Sequence, residues 1–194
     1  MNKLLIVLIS VSLLISCTES SKELEAESVA ESQKDYTQIG DSIVGMTFLA
    51  LSEELKNAMQ SGGVANAVSY CNVHALALTD SLSQEYNAII KRASDKPRNP
   101  YNQATEDEQR VLDVWYEKLA ANEEIKPAIF EGDDKVEYYA AIKIKPLCLN
   151  CHGDIGSTLA VENYNIIKEK YPQDQAFGYK EGDLRGLWHI SITK

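Results

Sequence analysis

The stretch KVEYYAAIKIKPLCLNCHG, residues 135–153, carries the two strongest signals of this 194-residue chain. In its first half, apolar residues alternate with other residues, which is typical of a strand with one buried face. Pro146 ends that strand, and the turn residues Gly132-Asp133-Asp134 precede it. Residues 129–145 are therefore predicted to form an antiparallel β-hairpin, which leads directly into a cysteine-containing motif.

That motif is Cys148-Leu149-Asn150-Cys151-His152, the Cys-x-x-Cys-His pattern of covalent c-type haem attachment. The spacing has a chemical reason, because two thiols must reach the two vinyl groups of one porphyrin. The imidazole of His152 then follows as an axial ligand of the iron. Since the pattern occurs once, we predict one covalently bound haem c.

Two other interpretations of these cysteines stay open. Cys71, Cys148, Cys151 and His152 are a legitimate Cys3His set for a structural zinc ion. Cys148 and Cys151 can also form a redox-active pair, although such a pair normally opens a helix within a βαβ unit, which this sequence lacks.

The N-terminus predicts export. After Lys3, residues 4–15 form an apolar run that is too short to span a membrane comfortably and has the proportions of a secretory signal. The run ends in a sequence that resembles a bacterial lipobox, so Cys17 is predicted to be acylated and to become the mature N-terminus. The alternatives are an ordinary signal peptide cut nearby and an uncleaved anchor.

These signals divide the chain into a lipoprotein signal peptide (1–16), a lipidated acidic tether (17–36) and one domain (37–194). The protein is expected to be anchored to a bacterial membrane and to face the periplasm or the cell surface. With 29 acidic against 19 basic residues, the net charge of −10 argues against nucleic acid as a partner, because phosphate binding needs clustered cations.

The remaining patterns predict helices first and antiparallel strands later. Helical spacing of apolar residues covers 37–60 and 64–82, separated by Gly62-Gly63. A capping box, Thr105 with Glu108, opens a third helix that runs to about Ala121. A fourth helix is predicted for 158–170, and strands for 86–93 and 184–192. Without a βαβ rhythm, this order indicates an α+β fold.

Several of these segments together resemble one bacterial family of small monohaem c-type domains, with a PAS-like fold and no assigned function. The resemblance covers roughly residues 38–193. It is carried by the lipoprotein start, the helix around Cys71, Arg98-Asn99-Pro100 with Asn102, 148–153, 171–179 and 182–186. It implies an antiparallel sheet with N-terminal helices packed around the haem.

The resemblance also implies unusual axial ligation, with the imidazole of His152 on one side of the iron and the thiolate of Cys71 on the other. The helical spacing of 64–82 independently directs Cys71 inward, near the centre of an apolar stripe. His74, at the edge of that stripe, is the next candidate for the sixth ligand. Met46 and Met59 follow, although methionines at helical spacing usually fill a core.

The haem propionates require cations or hydrogen-bond donors. Arg98 and Arg92 are the best candidates, followed by Asn99 and Arg185, because guanidinium grips carboxylate in bidentate fashion. Surface solubility is the competing explanation for each of them. His189 has no ligand spacing around it, and we interpret it as structural or solvent-facing.

The sequence thus predicts a lipid-anchored extracytoplasmic haem protein that senses redox state or a small ligand, or exchanges electrons with redox partner proteins. A haem enzyme of the peroxidase or nitrogen-oxide reductase type is the first alternative, but no distal His/Arg signature supports it. A zinc-stapled binding module is the second alternative.

Overall fold

A computed structural model describes the backbone of residues 18–194 and the side chains from residue 36 onward. The chain divides into two units, 1–35 and 36–194, and every contact described below lies within the second. The predicted signal peptide and Cys17 fall outside the described residues.

The first element, α1 (Thr18–Glu85), contains two helical arms. Gly62 and Gly63 leave helical geometry between the arms, and Gly63 takes a φ of +66° that favours glycine. The arms fold back on each other, since Asn66 Nδ2 donates to the carbonyl oxygen of Ala58 at 2.8 Å. The break predicted at these two glycines is therefore confirmed, and residues 36–85 of α1 form an antiparallel helical hairpin.

The sheet has four antiparallel strands in the order β1-β4-β3-β2. The strands are β1 (Ala88–Ala93), β2 (Ala128–Glu131), β3 (Lys135–Lys143) and β4 (Leu184–Thr193). The hairpin predicted for 129–145 is the β2–β3 pair. The remaining helices are α2 (Glu106–Ala120), α3 (Leu149–His152) and α4 (Val161–Lys170), with short 3-10 turns at Pro100–Asn102 and Pro146–Cys148.

The hairpin formed by residues 36–85 covers one face of the sheet. Ile43 from its first arm and Leu82 from its second arm pack with Tyr138, Trp188 and Ile190. The first arm departs from its predicted stripe, because Ile39 and Met46 are 42% and 51% exposed. The inward side of the arm is instead formed around Ile43.

The opposite face of the sheet is also buried, which the sequence did not predict. Leu112 and Trp115 of helix α2 pack against Tyr139 and Leu187 of the sheet. The predicted capping box starts this helix. Thr105 Oγ1 accepts a hydrogen bond from the backbone N–H of Glu108, and the Glu108 carboxylate accepts one from the backbone N–H of Thr105. Leu184 joins this second cluster rather than the first, because a register shift beside Gly186 breaks the alternation of β4. The α+β class is confirmed.

Candidate functional site

The cysteine motif forms a tight turn at the end of β3. The 3-10 turn Pro146–Cys148 runs into α3, so Cys148 and Cys151 lie one helical turn apart and are both partly buried. Gly153 ends α3 in a place where a Cβ atom would overlap the side chain of Thr158. Beyond α3, the carbonyl oxygen of His152 accepts from the backbone N–H of Tyr179 at 2.9 Å.

The imidazole of His152 is fixed by one hydrogen bond. Its Nδ1 atom lies 2.7 Å from the carbonyl oxygen of Ala176, which can only accept, so Nδ1 carries the proton. No described residue hydrogen-bonds to Nε2. Burial, together with the positive charges of Arg98 and Arg185, holds the pKa of His152 well below its usual value. The ring is therefore neutral with its lone pair on Nε2, which is the state that ligates a metal.

One cavity of about 240 Å³ brings the predicted site residues together. Both arms of α1 supply one wall, and β1, the segment after it, the α3 turn and the start of β4 supply the others. The eight predicted cofactor-binding residues all line it: Cys71, Arg92, Arg98, Asn99, Cys148, Cys151, His152 and Arg185.

The three described cysteines are free thiols. Burial raises the pKa of Cys71, partly offset by the guanidinium groups of Arg92 and Arg98. Burial likewise raises the pKa of Cys151, which packs against a cluster that includes Val68 of α1. Without a cofactor these two thiols are protonated at neutral pH.

Cations surround the cavity, and no acidic side chain of the described residues lines it. An adjoining cavity of about 170 Å³ shares Arg92, Arg185, Cys148 and His152 with the first, and no carboxylate of the described residues lines it. In a chain with a net charge of −10, this local excess of positive charge favours an anionic group.

The arginines differ in how they are held. The guanidinium of Arg92 makes no ion pair with any described residue and lies 5.9 Å from the ring centre of Trp188. Arg185 donates to Ser94 Oγ at 2.8 Å and to the carbonyl oxygen of Lys96. Arg98, in contrast, is paired with the buried carboxylate of Asp174. Arg92 is therefore the one of these three arginines without a polar protein partner among the described residues.

Asn99 uses its side-chain oxygen locally, because Oδ1 accepts from the backbone N–H of Tyr101 at 3.1 Å. This contact caps the short turn Pro100–Asn102 at the cavity. Asn99 thus shapes the wall of the cavity while it lines it.

The other ligand candidates separate clearly. His74 is exposed, does not line the cavity and packs against Tyr70 in a tilted arrangement with ring centres 4.6 Å apart. Met46 is half exposed and does not line the cavity either, so it is not the core residue that its spacing suggested. Met59 does line the cavity. Cys71 and Met59 are therefore the two sulfur atoms from α1 at this site.

His189 is structural. Its ring bridges Glu108 Oε1 at 2.9 Å and Glu137 Oε2 at 2.8 Å, and it stacks on Tyr139. Lys91 completes the cluster with an ion pair to Glu108 at 2.7 Å. The cluster ties α2 to the sheet on the face opposite α1.

Sequence patterns missed Asp174 and Ala176, which hold His152 and Arg98. Both lie in an irregular segment without periodicity, and Ala176 acts through its backbone oxygen. The only available signal was the resemblance of residues 171–179 to the monohaem family.

In the described part of the chain, no three His, Cys, Asp or Glu side chains group closely enough to hold a single metal ion. None of the described helices is both long and apolar enough to span a bilayer.

The profile of the Tll0287-like family, described as Tll0287, matches residues 17–193. The chain belongs to the Tll0287-like family. The resemblance to monohaem c-type domains is thereby confirmed. Among solved structures, the chain is similar to the crystal structure of the cyanobacterial heme-protein Tll0287, with 21% identity and a TM-score of 0.56. The match covers 78% of this chain and 92% of that chain and shows a shared fold. No curated protein matches the chain.

Proposed function

We propose that this member of the Tll0287-like family is a c-type haem protein with a redox or ligand-sensing role outside the cytoplasm. The observation that carries the proposal is the state of His152. Its Nδ1–H is committed to Ala176, and its free Nε2 belongs to a cavity that Cys71, Cys148 and Cys151 also line. The relationship to a protein described as a cyanobacterial heme-protein supports the same conclusion.

The residues present fit a covalently attached haem. Cys148 and Cys151 would form thioether bonds, and the one-turn spacing of α3 puts both thiols at the same cavity. His152 would supply the axial nitrogen, with Ala176 fixing its tautomer. Gly153 keeps the turn short, because any side chain there would displace Thr158. When bound, the haem supplies reversible one-electron chemistry.

Cys71 would supply the second axial ligand. It lies at the centre of the second arm of α1, one turn beyond the buried Val68. Burial alone keeps its thiol protonated, so ionisation requires the positive charge of a metal. Thiolate donation stabilises ferric iron, and we expect a low-spin ferric state with a lower potential than in Met/His cytochromes.

Arg92 is the strongest candidate to pair with a haem propionate. It lines both cavities and lacks an ion pair with any described residue. Arg185 lines both cavities as well, and it is oriented by Ser94 and the Lys96 carbonyl. Arg98 would contribute positive charge but not a bidentate contact to a propionate, because its guanidinium is already paired with Asp174.

The cellular setting completes the proposal. Cys17 would be acylated, so that the signal peptide 1–16 is removed and the acidic tether 17–36 links a bacterial membrane to the domain 37–194. The haem would face the periplasm or the cell surface and exchange electrons with protein partners, or report redox state or a small ligand.

Optical spectra of the mature protein test the proposal. We expect a low-spin ferric spectrum, and a single haem that survives denaturation in the wild type and in Cys71→Ser. The double variant Cys148→Ser/Cys151→Ser should lose it. Carbon monoxide binding only after reduction would favour a ligand sensor, whereas an unreactive reduced form with fast electron exchange would favour a carrier. A colourless wild-type protein would refute the proposal.

The two alternatives fare less well. A zinc staple needs its ligands to converge within about 2.0–2.3 Å of one ion, whereas no three His, Cys, Asp or Glu side chains of the described residues are grouped closely enough to do so. A haem enzyme needs an open iron site with an acid–base group nearby. Cys71 would occupy the remaining position on the iron, and His152 is the only His, Asp or Glu among the described residues that line the cavity.

A further inference from the structure

The carbonyl oxygen of Ala176 accepts hydrogen bonds from two side chains. His152 Nδ1 approaches it at 2.7 Å, and Arg98 Nη2 donates to it at 3.1 Å. The same Nη2 atom also donates to the carbonyl oxygen of Cys151, which belongs to the haem motif. One guanidinium therefore contacts both the motif and the residue that orients its histidine.

Arg98 is rigidly placed. Its Nε atom donates to Asp174 Oδ1 at 3.2 Å, and its Nη2 atom lies 3.3 Å from Oδ2. Because Nη2 has two N–H bonds for its three acceptors, it shares at least one proton between two of them. The carboxylate of Asp174 is fully buried, and its Oδ1 accepts from the backbone N–H of Ala176 at 2.9 Å. Asp174 thus fixes both the cation and the peptide group that carries the shared carbonyl.

A carbonyl oxygen has two lone pairs, so it can accept from both donors, but the two bonds weaken each other. A cationic donor draws electron density from the oxygen and leaves a poorer acceptor for the Nδ1–H of His152. The hydrogen bond on the outer nitrogen controls how strongly a ligating imidazole donates to its metal. Arg98 consequently makes His152 a weaker donor.

We propose that Arg98 is a positioning residue, which sets the donor strength of His152 toward the haem iron through the carbonyl group that the two side chains share. This inference rests on the proposed function. Arg98 raises the reduction potential, because a weaker donor and a nearby positive charge both favour ferrous iron. Asp174 limits this rise in potential, because its carboxylate partly neutralises the charge of Arg98 while it holds the guanidinium in place.

The test compares two substitutions that should act in opposite directions. In Arg98→Gln, the positive charge and the competing donor are lost, so the potential should fall. In Asp174→Asn, the positive charge stays without its counter-charge, so the potential should rise. We expect each change to alter the ferric-to-ferrous ratio at fixed applied potential by about tenfold, which is about 59 mV for a one-electron couple.

Matched controls come from an exposed pair on α2. Arg110 and Asp107 form an ion pair with side chains that are 70% and 73% exposed. Arg110→Gln and Asp107→Asn make the same charge changes away from the cavity and should leave the potential near the wild-type value. Arg98→Lys keeps the positive charge without the planar guanidinium. Its reduction potential should lie between those of Arg98→Gln and wild type.

A second readout follows the hydrogen bond itself. In the reduced protein, the Nδ1 proton of His152 should shift downfield in Arg98→Gln, because the carbonyl then serves one donor. Optical spectra must show an unchanged ligand set. If both variants move the potential in the same direction, or neither moves it beyond the controls, Arg98 and Asp174 only tether the loop.

If Arg98→Gln does not mature, Asp174→Asn alone decides: an unchanged or lower potential overturns the inference. Failure of the proposed function is distinguishable, because the wild-type protein would then contain no haem and give no potential to compare.

Discussion

Gly40 of α1 packs directly against the ring of Tyr138, which is fully buried in the middle of the sheet. The hydroxyl group of that tyrosine donates to the carboxylate of Asp41, the next residue along the helix. A side chain at position 40 would occupy the space of the ring. This contact sets the distance between the helical hairpin, whose second arm carries Cys71, and the sheet.

Gly40→Ala should therefore destabilise the protein by about 2 kcal/mol, the range found when a packed core is overfilled. Gly45 is the matched control in the same arm, because a Cβ atom there meets nothing within 4 Å. Gly45→Ala should stabilise the helix by up to about 1 kcal/mol. The measurement is the free energy of unfolding of each variant in urea, and equal effects of the two substitutions would contradict this packing.

The cluster of His189 with Glu108 predicts a pH dependence of stability. Burial opposes ionisation of Glu108, but hydrogen bonds from His189 and Lys91 hold its pKa at about 2, below its ordinary 4.5. Burial also opposes charge on His189, yet Glu108 and Glu137 raise its pKa above 6.5. A lowered carboxyl pKa stabilises the folded state above pH 4.5, and a raised imidazole pKa stabilises it below pH 6.5.

The free-energy difference between wild type and His189→Gln should thus be largest between about pH 4.5 and 6.5. It should shrink as the pH rises through the folded pKa of His189, and also as the pH falls toward 2. Urea unfolding across a pH series measures it, with the exposed His74→Gln as control. A difference that does not change with pH would show that the cluster carries no net charge coupling.

Local signals in the sequence predicted the elements around the site well. The glycine pair at 62–63, the capping box of α2 and the β2–β3 hairpin are each specified by neighbouring residues, and the structure contains all three. The cysteine motif likewise carries its own spacing. Such features need no information about distant contacts.

Distant contacts account for what the sequence did not reveal. Tyr139 shares its face of β3 with the charged Glu137 and Lys143 and so resembles a solvent-facing position, yet α2 buries it to 4% exposure. Leu184 changes faces because of a bulge that strict alternation cannot represent. Asp174 meets Arg98 across 76 residues, and no local pattern marks that pairing. Tertiary packing decides each of these positions.

Two sulfur atoms from α1 line the cavity, and their variants identify the sixth ligand. Cys71→Ala should convert the ferric haem to a high-spin or replaced-ligand spectrum and raise its potential, because thiolate donation to ferric iron is lost. Met59→Ala should leave the spectrum and the potential unchanged and should cost only a small loss of packing. Optical and electron paramagnetic resonance spectra measure the difference, and the opposite result would assign the position to Met59.

Lipidation gives a separate cellular prediction. Cys17→Ala should move the protein out of the detergent-soluble membrane fraction and abolish incorporation of labelled fatty acid. Ser16→Ala, which keeps the small residue before the cysteine, is the control and should remain membrane-bound. Unchanged fractionation of the Cys17 variant would favour an uncleaved anchor in residues 1–16.

The most direct test of the account is the mass of the proteolytic peptide that contains residues 148–152. We predict that this peptide carries the mass of one haem, attached at both Cys148 and Cys151, and that the peptide with Cys71 carries none. A peptide of unmodified mass, or haem attached at Cys71, would contradict the account.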